Sequence, residues 1–350
     1  MNSLLYGANG YTGRLILERC LARGLRPVLA GRSEAVRALA EPHGLEARVV
    51  ALEDGAALRR ALPGIGVVLH CAGPFSRTSR PMADACIAAG AHYLDITGEL
   101  GVFEALAARS AEARAARVML LPGTGFDVVP SDCLAAHLKR RLADAVWLRL
   151  AFESTSGLSR GTATTMLENI GRGGAIRRGG KIVPVRPGWK TRLLDLGSGP
   201  VPVTSIPWGD VATAWYSTGI PDIEVYTPLS AGRRRMLKAS RYLGWLLAAR
   251  PVQRWLKARI RNRPAGPSER ARTQGRSRLF GEAGNAAGHT VRSRLSGPEG
   301  YSLTALAAVA ALERVLAGEV HPGFQTPSLA FGPDFVLQVE GVLRVDEPSA

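Results

Sequence analysis

The seven residues Gly7-Ala8-Asn9-Gly10-Tyr11-Thr12-Gly13 constrain this chain more than any others. They follow a short apolar run, Ser3 to Tyr6, and open a helical pattern from Thr12 to Arg23. Strand, glycine turn and helix in that order make a phosphate cradle in which each glycine has its own task. Gly7 permits the tight turn, Gly10 lets the backbone approach a pyrophosphate, and Gly13 lets the helix pack closely on the sheet. The N–H groups at the helix start then face the anion. Asn9, Tyr11 and Thr12 stand on the same turn and are expected beside the bound dinucleotide as well.

The alternation continues. Strands are expected over Pro27 to Ala30, Ala47 to Ala51, Val67 to Ala72, Tyr93 to Ile96 and Val118 to Leu121. Helices are expected over Ser33 to Glu41, Gly55 to Ala61, Pro81 to Ala89 and Val102 to Ala115. Short apolar runs alternating with helical periods read as an α/β fold, a Rossmann-type doubly wound parallel sheet. Gly24 and Gly90 fall where helix C-termini take a left-handed residue, and Pro81 falls where a first turn tolerates a missing N–H. The second strand ends Leu29-Ala30-Gly31-Arg32-Ser33. An acid at this point would bond a ribose 2′-hydroxyl, whereas an arginine receives a 2′-phosphate. Arg32 can fork onto that phosphate and Ser33 can add a hydroxyl bond, although Ser33 also suits a helix cap. Glu34, in the first helical turn, is expected to point elsewhere. The expected cofactor is NADP(H).

With 350 residues the chain has room for two domains. An apolar share of 46% against 21% charged excludes a disordered chain. The longest uninterrupted apolar run, Ala305 to Leu312, is too brief to span a bilayer. With the first strand expected next to Met1, no leader peptide is expected. Cys20, Cys71, Cys86 and Cys133 are scattered, with no CxxC pair, and read as reduced thiols of a cytoplasmic protein. The histidines lack HxxxH or HxH spacing, so no metal site is expected. The formal charge of +16 is concentrated: Arg233 to Arg278 carries +14 of it. Within 233–263, Val252, Leu256 and Ile260 form one helical stripe among cations, with Met236, Leu237, Tyr242, Leu243, Trp245, Leu246, Leu247 and Trp255 nearby. Such a segment suits peripheral contact with anionic lipid, a mouth for an acyl chain, or plain packing with a solvated basic face. Pro251 kinks or divides it, and 263–278 is expected as a mobile loop. Nucleic acid is disfavoured, because no recognition motif accompanies the charge.

A set of ordered motifs is more specific than any of these. They are His70-Cys71-Ala72-Gly73-Pro74-Phe75, Ala85-Cys86-Ile87, Tyr93-Leu94-Asp95-Ile96-Thr97-Gly98-Glu99 and Gly125-Phe126-Asp127-Val128-Val129-Pro130-Ser131-Asp132. Further on come Ser159-Arg160-Gly161-Thr162-Ala163, Pro207-Trp208-Gly209-Asp210, Ser217-Thr218-Gly219-Ile220-Pro221, Thr326-Pro327 and Phe331-Gly332. Together they resemble the saccharopine dehydrogenase-like oxidoreductases, including the trans-acting enoyl reductases, along nearly the whole chain. The resemblance implies an NADP-binding Rossmann domain over 1–127 and an α+β domain with a mixed sheet over 128–325, for substrate or oligomer contacts. It leaves 326–350 as a C-terminal segment that can return to the first domain. Gly7, Gly10, Gly13 and Arg32 match its cofactor positions, and Cys71-Ala72-Gly73 matches the loop beside the nicotinamide. His70 stands where asparagine is commoner, and on a buried strand it reads as a satisfied core histidine. The second domain is smaller than that of true saccharopine reductases, which counts against an amino-acid substrate.

Reduction by NADPH also needs a proton donor and a site that excludes water. Tyr-x-x-x-Lys is absent: none of Lys139, Lys181, Lys190, Lys238 and Lys257 has a tyrosine four residues earlier. Asp95, Thr97 and Glu99 follow the fifth strand, and Asp127, Ser131 and Asp132 follow the sixth, where ligands of such sheets bind. Asp95 and Glu99 are the expected catalytic residues; loop bonding or helix capping are the structural alternatives for this set. The turn Gly157 to Thr165 leading into Met166 to Ile170 can hold an anion or simply cap a helix. The expected function is an NADPH-dependent oxidoreductase reducing C=C or C=N in a hydrophobic or carrier-bound small molecule, possible as a homodimer. A saccharopine-type imine reductase and a non-catalytic NADP-binding or lipid-surface protein are the alternatives.

Overall fold

The computed structural model describes residues 1–169, 173–247 and 249–348. Ile170, and the side chains of Leu243, Trp245, Leu246 and Leu247, lie outside the described residues. The first strands are β1 (Asn2–Tyr6), β2 (Val28–Gly31), β3 (Ala47–Val49), β4 (Ile65–His70), β5 (His92–Asp95) and β6 (Met119–Leu121). Between them run α1 (Tyr11–Ala22), α2 (Ala35–Ala40), α3 (Gly55–Arg60), α4 (Phe75–Ala89), α5 (Leu100–Ala107) and α6 (Ser110–Ala115). Next come α7 (Val129–Arg141), β7 (Trp147–Ser154), α8 (Arg160–Asn169), β8 (Gly174–Arg178), β9 (Lys181–Val185), β10 (Thr191–Asp195) and β11 (Pro200–Ser205). They are followed by α9 (Asp210–Thr218), β12 (Asp222–Pro228), α10 (Ala231–Leu247), α11 (Arg250–Arg261), α12 (Glu269–Gln274), β13 (Arg276–Gly284) and β14 (Thr290–Pro298). The chain finishes with α13 (Gly300–Leu316), β15 (Gly323–Phe324), α14 (Pro327–Phe331) and β16 (Leu343–Asp346).

These elements form two units, 1–129 with 301–340 and 130–300 with 341–350. The 128–325 and 326–350 segments of the sequence reading therefore each contribute to both. In the first unit seven parallel strands run in the order β15-β6-β5-β4-β1-β2-β3. Apart from the edge strand β15, this is the doubly wound order that reverses between β1 and β4. Helices cover both faces of such a sheet, so its central strands are apolar throughout. Leu4, Leu5, Leu29, Val67, Val68, Leu69, Leu94 and Leu120 are all buried, each worth roughly 1.5–3 kcal/mol. Helix α1 turns Gly13, Ile16, Leu17 and Cys20 inward, one helical stripe.

In the second unit the strand order is β10-β11-β12-β7-β13-β14-β16, with the β8–β9 hairpin attached to β12. Only the β12–β7 pair in this order is parallel, so the sheet is mixed. Its strands alternate. Leu148, Leu150, Ile223, Val225 and Leu279 are buried, while Glu224, Arg149, Glu282 and Arg292 stand opposite one another across four strands. Glu282 accepts from both Arg149 (3.0 Å) and Arg292 (2.8 Å).

Four sequence expectations are corrected. Helix α4 begins at Phe75, so Pro81 lies inside it and not in its first turn. The early start is set from outside: Glu99 accepts from the N–H groups of Phe75 (2.7 Å) and Ser76 (3.1 Å). The single helix expected over 102–115 is two, divided at Ala108 and Arg109, where Arg109 pairs with Asp84 and Glu112. Helix α7 starts at Val129, which places Ser131 and Asp132 within its first turn and not ahead of it as caps. Residues 263–278 are not all loop: Ser268 caps α12 by accepting from Ala271 N at 3.3 Å, and β13 begins at Arg276. Elsewhere Ser159 caps α8 through Thr162 N (3.2 Å), and Thr164 bonds back to Arg160 O.

Candidate functional site

The carboxyl ends of β1, β4, β5 and β6 open onto one end of the parallel sheet, across the point where strand order reverses. Open sheets of this kind bind ligands there. Gly7 leaves β1 with φ +81°, a left-handed conformation that favours glycine. A β-carbon on it would lie 2.9 Å from both the nitrogen and the β-carbon of Ala72, so the loop after β4 presses directly on this turn. Gly7 N donates to Ala30 O (2.8 Å) and Cys71 N to Tyr6 O (2.8 Å), which ties β2, β1 and β4 together at the turn. Gly10 is the N-cap of α1 and carries no side chain to cover the first-turn N–H groups. At Gly13 a β-carbon would stand 2.3 Å from Gly7 O and 2.9 Å from the Ala8 α-carbon. Gly7 and Gly13 therefore admit no side chain, as the tight turn and close helix–sheet packing of this motif require.

The other expected cofactor residues gather around it. Asn9 reaches Ser33 Oγ at 3.5 Å, bridging the glycine turn and the end of β2. Ser33 makes no side-chain cap: α2 is capped by Glu34 without a side-chain bond. Glu34 pairs instead with Arg37 at 2.8 Å. Arg32 is exposed immediately after β2, which ends at Gly31. Tyr11 packs edge-on against Tyr301 at 5.2 Å, and Thr12 is half-buried on the first turn of α1. Cys71, Ala72 and Gly73 line the adjoining loop. Burial pushes the Cys71 thiol well above its ordinary value, which holds it in the neutral, unreactive form.

The carboxylates separate by environment. Asp95 is fully buried and accepts from Tyr93 Oη (2.5 Å), Thr97 N (2.9 Å) and Gly123 N (2.9 Å). Burial raises it to about 6 against the pull of those donors. Its backbone oxygen accepts from Thr124 N and Oγ1, so it locks the loop after β6 to the end of β5. Glu99 spends both oxygens on the start of α4. Asp127 differs: it takes no hydrogen bond among the described residues, and desolvation raises it to about 7. Its side chain lies against Gly98, 2.9 Å from where a β-carbon there would stand. Thr304, which no local sequence signal marks, fixes this loop by accepting from Phe126 N at 3.0 Å.

His70 is a core histidine, but not a satisfied one. It is fully buried among Tyr6, Phe75 and Tyr93, and neither ring nitrogen has a hydrogen-bond partner among the described residues. Burial lowers it to about 3. The described residues hold no cluster of three or more potential metal ligands.

Comparison with known proteins agrees with this geometry. The family model of the saccharopine dehydrogenase NADP binding domain matches residues 3–121. The trans-acting enoyl reductase of Mycobacterium ulcerans is 35% identical over 152 residues, 40% of this chain and 36% of that protein. That of Mycobacterium leprae is 37% identical over the same length and shares. The chain thus matches little more than a third of the length of these curated relatives. Saccharopine dehydrogenase (L-Glu forming) of Saccharomyces cerevisiae shares the fold, with a TM-score of 0.69 over 99% of this chain and 100% of that one, at 14% identity.

The two inner glycines should separate binding from stability. Gly10→Ala places a β-carbon 3.2 Å from Gly7 O, a contact the turn absorbs, so the fold should persist while dinucleotide binding is lost. Gly13→Ala meets backbone that cannot move aside and should cost about 1–3 kcal/mol as well. Thermal melts and calorimetric titration distinguish the two outcomes; normal binding by both variants would show the cradle to be elsewhere.

Proposed function

We propose that this chain, whose residues 3–121 match the saccharopine dehydrogenase NADP binding domain, is an NADPH-dependent oxidoreductase that reduces a C=C or C=N bond of a hydrophobic or carrier-bound small molecule. The observation that carries the reading is a desolvated carboxyl, Asp127, on the loop after β6, at the end of the parallel sheet where the glycine turn also lies. Gly7, Gly10 and Gly13 leave room for the pyrophosphate, and Arg32 with Ser33 holds the 2′-phosphate. NADPH bound there supplies a hydride. Cys71, Ala72 and Gly73 form a small neutral wall beside the cradle. Asp127, raised to about 7, keeps a proton near neutral pH and delivers it from its carboxyl to the atom that has no hydride partner. Asp95 and Glu99 hold the two loops that present Asp127 and the start of α4.

The trans-acting enoyl reductase names of the relatives favour an unsaturated acyl substrate as the first to try. The test is incubation with NADPH deuterated at the transferred position and a panel of α,β-unsaturated acyl thioesters and cyclic imines. Deuterium in a reduced product is the expected result. Tight NADPH binding without transfer to any member of either class would leave a dinucleotide-binding protein without turnover.

A further inference from the structure

Between Glu224 and Glu269 the chain has no acid and eleven arginines and lysines. Ordinary surface helices mix both signs, and uncompensated like charge repels itself. In the second unit this stretch forms α10 and α11, divided at Pro251, which takes the first turn of α11. Val252, Leu256 and Ile260 are half-buried, and Gln253 donates to Leu167 O at 3.2 Å, so the stripe of α11 faces α8. The outer faces hold Arg233, Arg235, Lys238, Arg254, Arg259 and Arg261, all exposed. Among them stand apolar side chains that ordinary packing would cover: Met236 is 70% exposed, Tyr242 65% and Trp255 55%. Arg259 lies over the Trp255 ring at 4.4 Å.

A second feature adjoins α10. The turn after β9 runs against it, with Leu237 3.5 Å and Lys238 3.7 Å from the β-carbon position of Gly188. Beside that turn Ile176, Val183, Val185 and Trp189, with Arg178 and Arg186, line an open depression of about 480 Å³. Apolar and cationic side chains mix there as they do on the helix faces.

We propose that the face of the second unit formed by α10, α11 and the turn after β9 docks on an anionic lipid surface. Cations meet the head groups, while Trp255, Tyr242 and Met236 sink to the level of the acyl boundary, as in helices that lie in a membrane interface. No helix of the described residues is long and apolar enough to cross a membrane, so the contact is one of lying on. The proposal is independent of the reaction proposed above.

Sedimentation of the full chain with phosphatidylcholine vesicles, with and without phosphatidylglycerol, tests it. Binding should require the anionic lipid and weaken as salt screens charges beyond about 8 Å. Tryptophan emission should shift to the blue, and less so in Trp255→Phe. Combined Arg235→Gln, Arg254→Gln, Arg259→Gln and Arg261→Gln should weaken vesicle binding about tenfold or more, with NADPH affinity unchanged. Absence of sedimentation at low salt, or equal binding to neutral vesicles, would overturn the proposal. So would salt-sensitive capture of an acidic acyl carrier protein without any vesicle binding, which would make the face a protein-docking one.

Discussion

Replacing Asp127 with asparagine should slow turnover by about 10²–10⁴-fold, the range a positioned general acid contributes. Asparagine keeps the shape against Gly98 and cannot deliver a proton. The parent's rate should fall as pH rises through about 7, the value to which desolvation lifts this carboxyl, because the acid form is the active one. That limb should vanish in Asp127→Asn. The substitution should affect stability in the opposite sense from rate. A carboxyl whose folded value lies above its unfolded one stabilises least above the folded value, so the parent loses stability as pH rises toward 7. The variant escapes that loss and should be more stable at pH 8 by roughly 1–3 kcal/mol, discounted for partial solvent contact. A variant of unchanged rate with the parent's pH limb would move the proton donor elsewhere.

The second large effect is expected at His70. Its folded value of about 3 lies below the unfolded 6.5, so the unfolded chain gains a proton that the folded one refuses. Stability from neutral His70 is therefore complete above pH 6.5 and is lost as pH falls toward 3. Near pH 4 the loss is roughly 3 kcal/mol at about 1.4 kcal/mol per unit. His70→Phe keeps a ring among Tyr6, Phe75 and Tyr93 and removes two unbonded nitrogens, which alone should stabilise by about 1–3 kcal/mol. The gap between variant and parent should then widen by roughly a further 3 kcal/mol between pH 7.5 and pH 4. Asp95 and Asp127 shift in the opposite sense over this range and cancel in the difference. Denaturant unfolding at the two pH values measures it; a gap that does not change with pH would mean that His70 is protonated in the folded protein.

The first unit was legible because its constraints are local. A strand buried on both faces is apolar throughout, as Val67-Val68-Leu69 is, and needs no partner to be recognised. The glycine turn was legible for a like reason: Gly13 answers to the backbone of Gly7 and Ala8, only a few residues away. What escaped is settled at a distance. The start of α4 depends on Glu99, 24 residues on, and the Asp127 loop on Thr304, 178 residues from Phe126. The edge strand β15 is two residues long and pairs with β6 across the intervening second unit. Asp95, Glu99 and Asp127 could be placed at the right end of the sheet, but not told apart. What separates them is which N–H groups each one meets, and that follows from loops that no spacing encodes. The charge of 233–263 was plain in the sequence, whereas the order after it depended on one cap, Ser268.

The central claim is an NADP cradle read by Arg32, and calorimetric titration of NADPH and NADH against the parent and Arg32→Ala tests it most directly. The parent should prefer NADPH, and Arg32→Ala should lose roughly 1.5–3 kcal/mol of that preference, the worth of a charge-assisted bond, with NADH affinity almost unchanged. Equal affinity of the parent for the two dinucleotides, or an undiminished preference in Arg32→Ala, would contradict the account.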